Sequence, residues 1–173
     1  MNKVKELVLN KNAFLFVSRF VFLVGLATIV PLFHQQFITG PIVNAVLFIS
    51  TIVLGVDFAI LIGLIPSVIA LGVGLLPAVL APMVPFIMIS NTLLVVCFAY
   101  LRKKNYWLGI VVSSFLKFIF LFSTSSVVIN LILKKEVAEQ ASLMMSWPQL
   151  FTALAGGILA YLVLRVLGGF KNK

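Results

Sequence analysis

The chain has 173 residues, 62% of them apolar and only 10% charged, and its 13 Lys+Arg against 4 Asp+Glu give a net charge of +9. A soluble domain is about 45–50% apolar and about 25% charged, and a small one keeps much of its surface wet. A water-soluble fold, a disordered chain, a collagen-like repeat and a disulfide scaffold are therefore excluded, and lipid has to be the solvent. The lone cysteine, Cys97, rules out an internal disulfide and any four-thiolate metal or iron–sulfur site.

A helix needs roughly 20 apolar residues to cross the hydrocarbon, where unpaired backbone groups are too costly. Six such segments are expected. The first covers about Ala13–Phe33 and is closed by His34, Gln35 and Gln36. The second covers about Pro41–Val56, with proline at the helix start, where its missing N–H does least harm. Asp57 marks a short turn into the third, about Phe58–Leu76. Pro77 and Pro82 interrupt the chain before the fourth, about Met83–Leu101. The fifth follows Arg102-Lys103-Lys104-Asn105 and covers about Tyr106–Leu133; after the polar segment Lys134–Ser146, the sixth covers about Trp147–Leu167. The first apolar stretch is too long for the core of a cleavable signal peptide, and no fixed-period repeat is present. The expected architecture is an all-α integral membrane protein, one domain over residues 1–173 with six transmembrane helices in a single bundle.

The cations set the orientation. With the N-terminus in the cytoplasm, the inner side receives Lys3, Lys5, Lys11, Arg102, Lys103, Lys104, Arg165, Lys171 and Lys173. The outer side holds Lys134 and Lys135, offset by Glu136 and Glu139. This asymmetry follows the positive-inside rule and places both termini in the cytoplasm of a multi-pass plasma-membrane protein. Most of the positive charge is then a topology device suited to anionic headgroups, and nucleic acid is not expected as a partner.

Lipid offers no hydrophobic drive between helices, so they associate through small residues. Ala59, Gly63, Ser67, Ala70 and Gly74 form one small-residue stripe, and Ala153, Gly156, Gly157 and Ala160 form another. Each reads either as internal packing or as a smooth face that docks another membrane protein. Arg19 in the first span and Asp57 suggest a structural ion pair at the inner end.

Lys117 is different, because it lies some ten residues from either end of its span, too deep to snorkel easily. None of the four acids, Glu6, Asp57, Glu136 and Glu139, is placed to reach it. A buried ammonium without a carboxylate must lose its proton, bind carbonyls and water, or meet an anion that arrives from outside. The last option makes Lys117 a candidate ligand for a substrate carboxylate or phosphate. Ser113, Ser114, Ser123, Thr124, Ser125 and Ser126 share its helix, and Asn91 is an unusual mid-span amide in the fourth. Serines can bond their own helix carbonyls, and an intramembrane amide often joins helices, so each also has a purely structural reading. His34, Gln35, Gln36, Thr39 and Asn44 cluster after the first span, with Trp147 and Gln149 opening the sixth on the same side. One histidine without Cys, Asp or Glu neighbours makes no metal site, and Trp147 suits an interfacial anchor. No Ser/His/Asp set, carboxylate pair or Gly-rich phosphate loop appears, so neither an enzyme nor a bound cofactor is expected.

The run Phe37-Ile38-Thr39-Gly40-Pro41-Ile42-Val43-Asn44-Ala45, the run Pro82-Met83-Val84-Pro85-Phe86-Ile87-Met88-Ile89-Ser90-Asn91 and Lys117-Phe118 sit in a chain of six expected spans. In size, topology and these motifs the chain resembles the substrate-binding S components of energy-coupling factor transporters. The resemblance implies capture of a vitamin or related micronutrient from the outer face, with uptake driven by a membrane coupling protein and two cytoplasmic ATPases. It also implies a binding site in the outer halves of helices four to six, covered by the loop after helix one. Here those positions are Asn91, Lys117, Ser123, Thr124, Trp147 and the loop from His34 through Gln35 and Gln36 to Thr39, with Asn44 beside them. The family often docks its coupling protein through alanines four apart on helix one. Ala13, Ser18, Gly25 and Ala27 lack that repeat, which leaves the stripe of Ala59, Gly63, Ser67, Ala70 and Gly74 as a substitute docking face. The residues themselves favour a small anionic or zwitterionic solute. The competing class is a structural membrane scaffold, such as a subunit of a cell-shape or cell-wall complex, with no solute pocket.

Overall fold

The computed structural model describes residues 2–132 and 142–168, with side chains over 11–128 and 142–168. The loop charges Lys134, Lys135, Glu136 and Glu139 and the tail lysines Lys171 and Lys173 lie outside the described residues, as do the side chains of Lys3, Lys5 and Glu6.

Six helices in succession account for nearly all of the described chain: α1 Asn2–Ile29, α2 Gln36–Val53, α3 Val56–Gly72, α4 Val84–Leu101, α5 Tyr106–Ile132 and α6 Trp147–Val166. Short 3-10 helices, Val30–Phe33 and Ala78–Met83, follow α1 and precede α4, and no strand occurs among the described residues. Five stretches are helical, long and apolar enough to cross a membrane: Lys11–Phe33, Gln36–Val53, Ala78–Leu101, Tyr106–Val128 and Ser142–Val166. The segment expected to be the third span is shorter. Its helix has 17 residues, or about 25 Å at 1.5 Å per residue, against a hydrocarbon core of about 30 Å. The chain leaves the helix at Gly72 and regains an apolar helix only from Ala78.

Two helix starts depart from expectation, each for a local reason. α2 begins at Gln36, so Pro41 lies inside the helix and not at its first position. The turn between α2 and α3 is made by Gly55, whose φ of 95° only glycine adopts readily. Asp57 instead sits in the first turn of α3, where its charge complements the helix dipole. Asp57 and Arg19 are both exposed and form no ion pair. What joins α1 to α3 there is aromatic. The Phe58 ring meets Phe16 and Phe20 edge-to-face at centroid distances of 4.8 and 5.7 Å.

The bundle is built around α2, which packs most extensively on α6 and also touches α1, α3 and α4, while α5 closes against α4 and α6. α1 is the most exposed helix. Phe48, Phe98, Ile62 and Leu94 are fully buried at the centre, and Phe98 passes the contact on to Tyr106, whose hydroxyl donates to the Gly157 carbonyl at 3.0 Å. Outward faces carry large apolar side chains, among them Phe14, Phe22, Phe115 and Phe122, an arrangement that is a liability in water and suits lipid.

The α2–α6 contact depends on glycine. A Cβ on Gly156 would lie 2.6 Å from Asn44 Cβ, 2.7 Å from the Pro41 carbonyl oxygen and 2.9 Å from the Ala45 nitrogen. Two of those obstacles are backbone and cannot give way. Gly40 faces Thr152 in the same seam. Gly156→Ala is therefore expected to destabilise the bundle by about 1–3 kcal/mol, the usual cost of overpacking. Gly25→Ala, with nothing within 4 Å of the added carbon, should be neutral or stabilising by up to about 1 kcal/mol. Thermal unfolding of the two variants in detergent checks the contrast, and equal midpoints would contradict the packing described.

Candidate functional site

Lys117 sits in the middle of α5, about 16 Å along the helix from Tyr106 at 1.5 Å per residue, and is only 3% exposed. Its ammonium Nζ donates to Asn44 Oδ1 of α2 and to Asn91 Oδ1 of α4, both at 2.7 Å. Three helices are thus tied at one nitrogen.

The orientation of each amide is set by a further bond. Asn44 Nδ2 donates to the Gly40 carbonyl one turn back at 2.9 Å, and Asn91 Nδ2 donates to the Gly63 carbonyl of α3 at 2.8 Å. A carbonyl only accepts, so the nitrogen of each amide must face it and the oxygen is left for the lysine. Small residues make room for both. Asn91 reaches α3 because Gly63 has no side chain: a Cβ there would lie 3.3 Å from Asn91 Cβ. Asn44 is pressed toward α5 by the glycine seam with α6.

The cluster holds one basic side chain and, among the described residues, no acidic one. Asp57, the acid among the described side chains, is exposed in the first turn of α3, at the opposite end of the bundle. An ammonium has three N–H groups, and two of them are used here. Lys117, Asn44 and Asn91 form part of the wall of a cavity of about 110 Å³ that runs from them toward the end of the bundle where α1 meets α2. That end will be called the loop end.

The cavity wall mixes a few polar groups with an apolar majority. Thr39 Oγ1 donates to the Val30 carbonyl and Ser67 Oγ to the Leu64 carbonyl. Gln36 Nε2 and Gln149 Nε2 both donate to the Met144 carbonyl, at 3.0 and 3.1 Å. These two bonds hold the Met144–Met145 turn across the cavity between the starts of α2 and α6. Met145 then packs with Leu76, Leu80, Met83 and Leu121 in a small apolar cluster at the loop end.

Of the residues singled out from sequence, Lys117, Asn91, Asn44, Gln36 and Thr39 line the cavity together. His34, Gln35, Ser123, Thr124 and Trp147 do not. His34 is exposed, with Nδ1 and Nε2 each 2.6 Å from a carbonyl oxygen, those of Leu32 and Val73, and so pins the 3-10 turn after α1 to the end of α3. Gln35 is an exposed residue flanking α2. Ser123 is exposed, and the Thr124 hydroxyl donates back to Phe120 and Leu121 carbonyls of its own helix. Trp147 is 52% exposed and packs against Phe37 and Phe151 on the outside of the bundle. In the small-residue stripe, Ala59, Gly63 and Ser67 are buried, Ala70 and Ser67 line the cavity, and Gly74 is exposed beyond the end of α3. The second stripe is internal, with Ala153 and Ala160 fully buried. Sequence reasoning missed Met144, Met145 and Pro66 as cavity residues. Their only signal is position, next to the start of α6 or one turn before Ala70.

Removing one member of the three-way contact leaves the others buried and unpaired, at about 1–3 kcal/mol for each orphaned group. Lys117→Met and Asn91→Leu are each expected to destabilise the protein, and the double variant should lose less than the sum by at least about 0.5 kcal/mol. A double-mutant cycle by chemical unfolding in detergent measures this. Strict additivity would mean that the two side chains act independently.

No family model, curated protein or solved structure matches the chain, so the residues around Lys117 are what its function is read from.

Proposed function

We propose that the chain is the substrate-capture subunit of an energy-coupling-factor-type transporter. In this reading it is a six-span bundle with both termini in the cytoplasm, and α3 with the turn that follows supplies the sixth crossing. It binds a small micronutrient from the outer face of the plasma membrane and has no catalytic activity of its own. A membrane coupling protein and two cytoplasmic ATPases supply the energy.

The observation that carries the proposal is Lys117: a buried cation with no described carboxylate beside it, in the wall of a cavity directed to the loop end. An intramembrane ionisable residue facing a cavity is by default a candidate for a solute or ion path. The excess of cations near the opposite end makes the loop end the outer one under the positive-inside rule. The cavity size narrows the solute. Sites for drug-sized ligands measure about 300–1,000 Å³, whereas this one measures about 110 Å³. As built it takes a compact solute or the charged end of a larger one, and a whole vitamin requires the Met144–Met145 turn to move aside.

The second reading, a structural scaffold without a solute pocket, is favoured by the same contact seen differently. Lys117 already joins α2, α4 and α5 through two hydrogen bonds, which is a sufficient role for a packing clamp. Purification from native membranes, with mass spectrometry of proteins and extracted small molecules, separates the two. Capture predicts a coupling protein, ATPases and a retained solute, with solute retention reduced at least about tenfold by Lys117→Met, as expected for a lost charged hydrogen bond. Cell-wall enzymes as the partners, with no ATPase and no solute, would establish the scaffold.

A further inference from the structure

We infer that the cavity selects a small monoanion, a single carboxylate on a compact apolar body, over zwitterions, cations and dianions. The inference rests on the capture reading and names the class of solute.

Charge balance comes first. Among the described residues, Lys117 is the one ionisable side chain lining the cavity. A monoanion placed beside it makes the buried site neutral. A zwitterion or amine would bring an ammonium into a wall whose described residues include no carboxylate, and unpaired buried charge is strongly disfavoured. A phosphate monoester carries about −1.5 to −2 near neutral pH and leaves an excess negative charge.

Donor geometry points the same way. The amides of Asn44 and Asn91 occupy two of the three Lys117 donor positions, and their nitrogens are committed to the Gly40 and Gly63 carbonyls. One ammonium N–H remains for a ligand. Gln36, eight residues before Asn44 and so about 12 Å along α2, and Gln149 each spend one side-chain N–H on the Met144 carbonyl and border the far end of the cavity, away from a carboxylate beside Lys117. Thr39 and Ser67 have given their hydroxyl protons to backbone carbonyls, so they present lone pairs and repel a second anionic group. Strong anion recognition is thereby confined to the lysine.

The rest of the wall fits an apolar body. Pro31, Leu75, Leu76, Ile87, Met144 and Met145 line it, and the two thioethers adapt to irregular shapes. A volume of about 110 Å³ holds a carboxylate on a compact body, and a longer chain would have to extend beyond it.

The test uses the purified full-length chain in lipid nanodiscs with size-matched probes: butanoate, butanamide, butylamine, 4-aminobutanoate and methyl phosphate. Calorimetric titration and ligand-induced shifts in unfolding temperature read the binding, and solutes are extracted from the same preparation. Butanoate is expected to bind at least tenfold more tightly than the other four probes. Lys117→Met should abolish that preference. Lys117→Gln, which keeps a side-chain donor but not the charge, should make butanoate and butanamide bind equally and serves if Lys117→Met does not fold. A monoanion recovered by extraction supports the inference even if butanoate is too small to be held. Equal or tighter binding of butanamide, 4-aminobutanoate, butylamine or methyl phosphate overturns the solute class and leaves the capture reading standing, as does extraction of a neutral or zwitterionic solute. If no probe binds and no solute is extracted, both fail.

Discussion

One lysine in the middle of the bundle, held by neutral amides, organises the molecule. The Lys117 ammonium reaches α2 and α4 through the oxygens of Asn44 and Asn91, and Asn91 carries the connection to α3 through the Gly63 carbonyl. Four helices are therefore bound into one polar network at a depth where water is scarce. Such networks rigidify a core when every member is satisfied and weaken it when one is missing. Here both amide nitrogens and both amide oxygens have partners.

The rest of the packing puts those amides where they are. Asn44 is seated by the α2–α6 seam, in which Gly40 meets Thr152 and Gly156 meets the backbone of Pro41 and Ala45. Without a hydrophobic drive between helices in lipid, such close backbone approach is what holds helices together. The adjacent Gly157 faces α5 instead, where an added Cβ would meet Ile110, and its carbonyl accepts the Tyr106 hydroxyl. Small residues thus have two tasks in this chain. They bring α6 against α2, and they leave the gaps through which two asparagines reach α3 and α5.

Much of this was legible in the sequence, and the failures have definite causes. Helix positions follow from apolar runs and polar breaks, so α4, α5 and α6 lie within a residue or so of expectation. Composition alone does not reveal that α2 runs through Gly40-Pro41, because proline and glycine read as a helix start. Nor does it show that α3 ends at Gly72, since Val73, Leu75 and Leu76 are as apolar as the helix itself. Lys117 stood out because its depth and the scarcity of acids are properties of the sequence. Asn44 and Asn91 stood out as candidate site residues but not as its hydrogen-bond partners, because which amide faces a lysine on another helix depends on packing. Helical geometry separates the neighbours that failed: six residues on, Ser123 is turned about 240° away from Lys117 around the helix. Thr124 returns to the lysine's side but lies two turns farther along and bonds its own backbone.

The choice of asparagine over aspartate is the last constraint, and it separates a clamp from a receptor. An aspartate at position 44 or 91 would pair with Lys117 more strongly, since two unit charges 4 Å apart gain about 4 kcal/mol even at an effective dielectric of 20. That pair would be neutral, and nothing in the cavity would then attract an anion. Two amide oxygens orient the ammonium and offset part of its desolvation while leaving its charge in place. For packing alone this is the poorer solution, because a buried charge without a counter-ion is costly. It becomes the better one if the counter-ion is the solute, which can be bound and released only because it is not part of the chain.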